Sequence, residues 1–283
     1  HTPVRLLAID IDGTLLDSRG HLPDAHRAAV ADAHAAGIHL VLATGRAIHF
    51  AQPVADSLGV PVATIVNNGA VAREANGETA LKHVLDRDVA RAILSETSAF
   101  DDSVAIVFDR LDDRQIVFER MDWTHPNRRG YYARNHPWIA AARLDDALAD
   151  DPIQVMFNGS VGPMRHLVAT LRAMPQADAF TVAITEYEER DFALVDVNGP
   201  RCSKGTTLAG FAGRLGVPPA AVMAIGDNLN DLDMLEFAGC PVVMGNAADS
   251  LRQRGFQVVP SNDAGGLAIA VHRYALARRP PAR

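Results

Sequence analysis

The chain has 283 residues and a formal net charge of -7, with 48% hydrophobic and 22% charged residues. This composition is typical of a globular protein with one large domain or two of ordinary size. The negative charge argues against a nucleic-acid backbone as the main partner, because such binding needs a basic surface. No apolar run approaches the ~20 residues of a membrane-spanning helix, so no membrane segment is predicted.

The first part of the chain predicts alternating strands and helices. Short, continuously apolar runs are typical of strands buried on both faces, and the alanine-rich stretches between them end at glycines. The predicted order is strand Val4–Ile9, helix Asp24–Ala36, strand Ile38–Ala43, helix Ala47–Leu58 and strand Val62–Val66. This βαβαβ order indicates a parallel sheet with helices on both faces.

The middle of the chain predicts antiparallel hairpins and a helix near Met164–Ala173. One hairpin has the loop Arg110–Arg114 and another has the charged tip Glu186–Asp191. We interpret this α+β pattern as a small cap domain, residues 84–196, inserted into the first domain. Its predicted strands are Val104–Asp109, Gln115–Glu119, Ile153–Phe157, Phe180–Thr185 and Phe192–Val197.

The α/β alternation returns in the last part of the chain. The fold class is therefore predicted as α/β, with a Rossmann-like parallel-sheet core formed by residues 1–83 and 197–283. The predicted elements here are helix Lys204–Leu215, strand Ala221–Ile225, helix Asp231–Ala238, strand Val242–Met244 and helix Asp263–Ala277.

Polar clusters follow several of these apolar runs. They are Asp10-Ile11-Asp12-Gly13-Thr14, Thr44-Gly45-Arg46, Lys204-Gly205 and Gly226-Asp227-Asn228-Leu229-Asn230-Asp231. Loops at the carboxyl ends of parallel strands build the ligand site, so the clusters are expected to converge. Carboxylates gathered in this way repel one another unless a cation joins them. Mg²⁺ with a phosphate in its shell satisfies that need and indicates phosphoryl-transfer chemistry.

Three of the clusters also have a simpler structural interpretation, which for Lys204 is a solvated side chain. Asp10 and Asp12 lie at alternate positions and so are expected to face one pocket, yet Asp and Gly also form ordinary turns. Thr44 with the Gly45 N–H suits a phosphate, but threonine is also a common helix N-cap. Lys204 lies at a helix start, where the helix dipole disfavours a cation, and this misfit favours a functional role.

In this order the four motifs, DIDGTLL, ATGR, SKG and GDNLND, resemble those of the haloacid dehalogenase-like hydrolases. The position of the inserted domain is similar to the Cof-type branch, which carries a large α/β cap of the C2 type. The resemblance covers the core, roughly residues 3 to 83 and 197 to 272, and only the topology of the cap. It implies a phosphoric monoester hydrolase that uses Mg²⁺ and an aspartyl-phosphate intermediate.

The resemblance also implies roles for the matched positions. Asp10 would be the nucleophile, and Asp12 the general acid and base. Mg²⁺ would be held by the Asp10 carboxylate, the Asp12 carbonyl and Asp227, with Asp231 as a supporting residue or a direct ligand. The phosphoryl oxygens would be bound by the remaining matched groups, which are Thr44, Gly45, Lys204, Asn230 and the N–H of Ile11.

The predicted substrate is a small phosphorylated metabolite, such as a sugar phosphate or a cofactor- or nucleotide-like phosphate. Candidates for selecting it are Arg46, His49, Glu186 and Tyr187, although solvated surface positions explain these residues at least as well, and better for the hairpin tip with Glu186 and Tyr187. Two alternatives stay open: a phosphotransferase or mutase acting on sugar phosphates, and a non-catalytic protein that binds phosphometabolites.

The location and assembly of the protein are predicted from weaker signals. The N-terminus enters a strand pattern directly, and Cys202 and Cys240 lie outside any zinc-binding spacing. Few cysteines are typical of a reduced compartment, so we expect a cytoplasmic protein. A monomer or a homodimer is expected, without nucleic-acid or membrane partners.

Overall fold

The computed structural model of the protein describes residues 2–110, 112 and 114–277. It divides into two compact units, one built from the residues up to Lys82 and from Ser203 onward, the other from His83–Cys202. The second boundary therefore lies six residues beyond the predicted one, at 202 rather than 196. The connecting segment is bonded to the second unit, since the Thr181 hydroxyl donates to the Cys202 carbonyl at 2.7 Å.

The chain forms fourteen strands within its described residues. In order they are β1 (Leu6–Ile9), β2 (His39–Ala43), β3 (Ala63–Val66), β4 (Val71–Arg73), β5 (Thr79–Lys82), β6 (Val104–Val107), β7 (Ile116–Phe118), β8 (Ile139–Ala141), β9 (Gln154–Gly159), β10 (Thr181–Tyr187), β11 (Phe192–Asn198), β12 (Val222–Gly226), β13 (Cys240–Val243) and β14 (Gln257–Val258).

The same residues form ten α-helices, nine of which lie between these strands in the chain order and one after the last strand. They are α1 (Asp24–Ala35), α2 (Ile48–Ser57), α3 (Arg87–Glu96), α4 (Pro126–Asn135), α5 (Leu144–Ala147), α6 (Val161–Ala173), α7 (Lys204–Arg214), α8 (Leu232–Phe237), α9 (Asp249–Arg252) and α10 (Gly266–Ala270).

The first unit contains an eight-stranded sheet in the order β14-β13-β12-β1-β2-β3-β4-β5. Neighbours from β14 to β3 are parallel, and β4 and β5 add an antiparallel hairpin. Leu6 and Ala8 on one face of β1 join a buried cluster with Phe211 of α7. Leu7 and Ile9 point to the other face and are also fully buried. Burial on both faces explains the continuous apolar runs in the sequence.

The second unit contains a six-stranded sheet in the order β10-β11-β9-β6-β7-β8. Every pair is antiparallel except β7 with β8. Phe157 and Val195 on one face form a buried cluster with Leu167 of α6 and Ile93 of α3. This is the mixed pattern expected of an inserted domain, and the predicted fold class, a parallel-sheet core with a second α+β unit, is confirmed.

A buried arginine attaches α4 to the second sheet. Arg128 is 5% exposed, and its guanidinium donates to the Asn158 side chain and carbonyl, to the Ser103 hydroxyl and to the carbonyls of Asp102 and Asp122. These bonds go to neutral groups and compensate for the lost hydration of the guanidinium, and the nearby charges of Asp102 and Asp122 add to the stabilisation.

Most predicted elements are present with ends shifted by one to three residues, whereas several short ones were not predicted. The predicted helix 263–277 is interrupted at Gly265, which adopts a positive φ of 74°, and α10 begins after it. The predicted loop Arg110–Arg114 includes two positions outside the described residues. The hairpin β4–β5, the helices α3, α4, α5 and α9, and the strands β8 and β14 were missed. Across the described ranges, no helix has the length and apolarity needed to cross a membrane.

Candidate active site

The turn after β1 carries Asp10 into the interior of the first unit. Asp10 is 5% exposed, and its backbone N–H donates to the Ile225 carbonyl of the adjacent β12 at 3.0 Å. Gly13 then turns the chain with a φ of 78°, and a Cβ on this residue would lie 2.2 Å from Asp227 Oδ2. The turn can therefore approach the carboxylate of Asp227 only because residue 13 is a glycine.

A buried lysine joins two of the predicted carboxylates. Lys204 is 1% exposed at the start of α7, and its Nζ donates to Asp10 Oδ1 at 2.7 Å and to Asp231 Oδ1 at 2.6 Å. Burial by itself would lower the pKa of Lys204, but these two carboxylates outweigh it and raise the pKa above its usual value. The misfit of a cation at a helix start is thus explained by its two anionic partners.

A third carboxylate completes an acidic cluster. Oxygen atoms of Asp10, Asp227 and Asp231 lie within 4.8 Å of one another. Burial, followed by the nearby Asp231 charge, raises the pKa of Asp10 well above its usual range and that of Asp227 to about 7. One ammonium does not neutralise three carboxylates, and an oxygen-only donor set suits a hard cation. These residues therefore fit Mg²⁺.

The two oxygens of Asp231 are already used within the protein. Oδ2 accepts the N–H groups of Asp227 and Asn228 at 3.0 Å each, while Oδ1 accepts from Lys204. These bonds hold the turn after β12 in place. The arrangement favours Asp231 as a residue that supports Asp227.

Asp227 is held from the other side by two further groups, neither of which was predicted as a site residue. The Thr14 hydroxyl donates to its Oδ1 at 3.1 Å, and the Asn246 amide donates to its Oδ2 at 3.3 Å and to the Gly13 carbonyl at 2.8 Å. Asn246 comes shortly after the strand β13, just as each predicted polar cluster follows an apolar run. This position in the sequence could have identified it as a site residue.

Two of the residues predicted to bind phosphate, Thr44 and Gly45, lie in the loop after β2. Thr44 is 1% exposed, and its Oγ1 accepts the N–H of Arg46 at 3.1 Å. Gly45 follows a buried strand, and its space is limited by the Asn68 side chain, which would lie 3.1 Å from a Cβ at this position. Ile11, whose N–H is another predicted donor, is fully buried in the turn after Asp10.

Asp12 has a different partner from Asp10. Arg46 donates from Nε to Asp12 Oδ2 at 2.7 Å and from a terminal nitrogen to Oδ1 at 2.6 Å, and the Asp12 side chain is 58% exposed. This differs from the expectation of one shared pocket. The extended alternation ends at Ile11, where a helical turn begins between the two aspartates, and a bidentate guanidinium satisfies both oxygens of Asp12.

The remaining predicted residues divide between the two units. His49 lies at the start of α2 in the first unit, with its ring 4.6 Å from that of Phe50. Glu186 and Tyr187 lie in the second unit at the end of β10. Glu186 accepts two bonds from Arg165 of α6 at 2.8 and 2.7 Å, so its carboxylate helps to fix the hairpin tip. Tyr187 is 41% exposed.

Comparisons with known proteins agree over almost the whole chain. A family model described as haloacid dehalogenase-like hydrolase matches residues 7–271. The chain is 25% identical to the 5-amino-6-(5-phospho-D-ribitylamino)uracil phosphatase YcsE of Bacillus subtilis (strain 168), over 96% of each protein. It is 26% identical to the pyridoxal phosphate phosphatase YbhA of Escherichia coli (strain K12), over 95% of this chain and 98% of that protein.

Solved structures share the fold. A phosphatase of the haloalkanoate enzyme superfamily from Bacteroides thetaiotaomicron superposes with a TM-score of 0.78 at 25% identity, over 96% of this chain and 95% of that one. A sugar phosphatase of subclass IIB superposes with a TM-score of 0.79 at 21% identity, over 96% of this chain and 99% of that one.

Proposed function

The chain belongs to the haloacid dehalogenase-like hydrolases, and from its site we propose a Mg²⁺-dependent phosphatase that acts through an aspartyl-phosphate. The family match confirms the resemblance of the four motifs and the prediction of a hydrolase of phosphate esters. The observation that carries the proposal is the buried Lys204 bridging Asp10 and Asp231 beside Asp227.

In the proposed first step, a carboxylate oxygen of Asp10 attacks the phosphorus of the substrate. The P–O bond to the leaving group breaks, and Asp12 gives its proton to the departing oxygen. In the second step a water molecule attacks the aspartyl-phosphate, Asp12 takes the proton, and inorganic phosphate is released with Asp10 restored. A carboxylate nucleophile thus divides one difficult displacement into two easier ones.

The protein's own groups would neutralise and orient the phosphoryl oxygens. Lys204 carries a positive charge against Asp10, and the Thr44 hydroxyl, the Ile11 and Gly45 N–H groups and the Asn230 amide are the proposed donors. Charge on these oxygens rises in the transition state, so fixed donors stabilise it mainly by electrostatics. Bound Mg²⁺ would add positive charge at the same oxygens.

The residues proposed to hold Mg²⁺ are Asp10 and Asp227 with the backbone carbonyl of Asp12. Asp231 would keep Asp227 and Lys204 in position, as its bonds to both indicate. The pKa values of Asp10 and Asp227 are raised by burial and then by the Asp231 charge, and a bound divalent cation would favour the ionised carboxylates, so the raised values support this assignment.

The Asp12–Arg46 pair needs to open for this mechanism. Proton transfer requires a carboxylate oxygen of Asp12, and both now accept bonds from Arg46. We propose that substrate binding separates the pair and that the released guanidinium then contacts the substrate. Arg46 would in this way keep its predicted part in substrate selection.

The substrate is proposed to be a small phosphorylated metabolite. The relatives named above act on a ribitylamino-uracil phosphate and on pyridoxal phosphate, so phosphates of heterocyclic compounds come first, followed by sugar phosphates. The unit His83–Cys202 is proposed as the substrate-selecting cap, with Tyr187 at its hairpin tip as the first residue to substitute. A cytoplasmic location and a monomeric or dimeric state stay predictions.

The proposal is tested by phosphate release from a panel of such metabolites, with Mg²⁺ or with EDTA, for the wild type and Asp10→Asn. We expect turnover only by the wild type with Mg²⁺. Equal release by Asp10→Asn, or by the wild type in EDTA, would contradict the proposed nucleophile or the proposed metal, respectively.

A further inference from the structure

The turn after β3 has an unusual backbone conformation that the proposed mechanism does not use. Asn67, Asn68 and Gly69 have φ angles of 49°, 54° and 104° in succession. Both asparagines are only 5% exposed. The left-handed conformation is strained for ordinary side chains, although Asn and Gly tolerate it best. Such strain persists where the surrounding structure fixes it.

The backbone of this turn is bonded to the loop that carries Thr44 and Gly45. The Asn68 N–H donates to the Thr44 carbonyl at 3.1 Å, and the Asn67 N–H donates to the Arg46 carbonyl at 3.0 Å. The left-handed turn therefore sets the path of one proposed phosphate-binding loop.

The same turn contacts the start of α7, which carries Lys204. The Gly69 carbonyl accepts from the Thr207 hydroxyl at 2.7 Å. A Cβ on Gly69 would lie 2.2 Å from the Ser203 carbonyl oxygen and 3.0 Å from the Lys204 nitrogen, so only glycine allows this approach.

The side chain of Asn68 contacts Asn230, another residue that is proposed to bind the phosphoryl group. Its Oδ1 accepts a hydrogen bond from Asn230 Nδ2 at 3.2 Å. A carboxamide has an oxygen end and a nitrogen end, and only the nitrogen end attracts an anion. An acceptor beside Asn230 therefore determines which end of that amide can face a phosphoryl oxygen.

We infer that Asn68 is a positioning residue for phosphate recognition: it fixes the amide orientation of Asn230 so that the second N–H is available to the phosphoryl group. The inference rests on the proposed function, in which Asn230 binds that group. Asn68 itself acts through Asn230, and its left-handed backbone places its Oδ1 there while its N–H holds the Thr44 loop.

The test is a double-mutant cycle with the variants Asn68→Gly, Asn230→Ala and their combination. Glycine keeps the positive φ, so Asn68→Gly removes the side chain without straining the backbone. Readouts are kcat and KM on the best substrate, the inhibition constant of inorganic phosphate, and the thermal unfolding midpoint. Asn76→Gly makes the same deletion on an exposed turn of the same unit and serves as the control.

We expect Asn68→Gly to lower kcat/KM and to weaken phosphate inhibition about three- to tenfold, as for the loss of one buried hydrogen bond. In the Asn230→Ala background, Asn68→Gly should change kcat/KM and phosphate inhibition by less than about twofold, because the amide that Asn68 orients is absent. Asn68→Asp keeps the acceptor oxygen, so Asn230→Ala should remain as costly in that background as in the wild type.

Three results would overturn the inference in distinguishable ways. If the wild type turns over substrate but Asn68→Gly costs the same in both backgrounds, Asn68 does not act through Asn230, although the proposed function stands. If the wild type releases no phosphate from any compound, the proposed function fails and the inference fails with it. A change in the unfolding midpoint without a change in phosphate inhibition would also assign Asn68 a purely structural role.

Discussion

Replacing Lys204 by methionine should destabilise the first unit strongly. Methionine keeps the unbranched apolar stem, so the main loss is the ammonium that binds Asp10 and Asp231 at 2.7 and 2.6 Å. Each hydrogen bond to a charged group contributes about 1.5–3 kcal/mol, so the loss of both bonds agrees with the ~3–5 kcal/mol cost of leaving a buried charge unpaired. At about 2–4 °C per kcal/mol, the unfolding midpoint should fall by roughly 6–20 °C.

The assay is thermal and urea unfolding in EDTA, so that no divalent cation replaces the lost charge. Lys82→Met is the matched control, because Lys82 is the only other lysine in the sequence and is exposed on β5. Asp10→Asn should stabilise the Lys204→Met protein, since it removes one unpaired carboxylate. A Lys204→Met protein within about 1 kcal/mol of the wild type would refute the account of Lys204 as the charge that makes this cluster tolerable.

Three further substitutions test other parts of the structure. Gly13→Ala should abolish turnover and lower stability, because the new Cβ would lie 2.2 Å from the Asp227 carboxylate. Gly20 has a similar φ of 80° but open space around it, so Gly20→Ala should cost only about 1–2 kcal/mol of backbone strain and leave turnover intact. Burial lowers the pKa of His26, so the unfolded state takes up the proton before the folded state does. The free energy of unfolding should therefore fall as pH drops below about 6.5, by up to ~1.4 kcal/mol per pH unit. His26→Asn should remove this part of the pH dependence in urea titrations, and an unchanged profile would contradict it. Arg128→Met should destabilise the second unit by about 2–4 kcal/mol, seen as faster amide exchange there, whereas protection equal to that of the wild type would show that its buried hydrogen bonds contribute little.

The core of the fold was predictable because local patterns decide it. β1 and β12 are continuously apolar and buried, β2 is so after the exposed His39, and β3 is buried with a single threonine, Thr64. A polar cluster follows β1, β2 and β12. The hairpin β4–β5 was missed because its strands are short and β5 is half exposed, so neither has an alternating pattern. The helix α3 did have a visible signal, since Asp86 caps it by accepting the N–H groups of Asp88 and Val89.

The helix α4 and the supporting groups of the site depend on contacts between distant parts of the chain. α4 is polar along its length, and Arg128 attaches it to residues that the sequence does not mark as neighbours. Asn68 and Asn246 likewise contact residues more than 160 and 230 positions away, namely Asn230 and Gly13. Residue type and spacing indicated the carboxylates and the lysine. They did not indicate Asn68 and Asn246, whose amides contact Asn230 and Asp227.

The proposed mechanism is tested most directly by looking for the phosphorylated nucleophile. The protein would be mixed with its best substrate and Mg²⁺, quenched in acid within one turnover, and its peptides analysed by mass spectrometry, with hydroxylamine trapping as a second readout. We expect one phosphoryl group on Asp10, absent from Asp10→Asn and from samples in EDTA. Rapid turnover with an unmodified Asp10, or with the phosphoryl group on another residue, would contradict it.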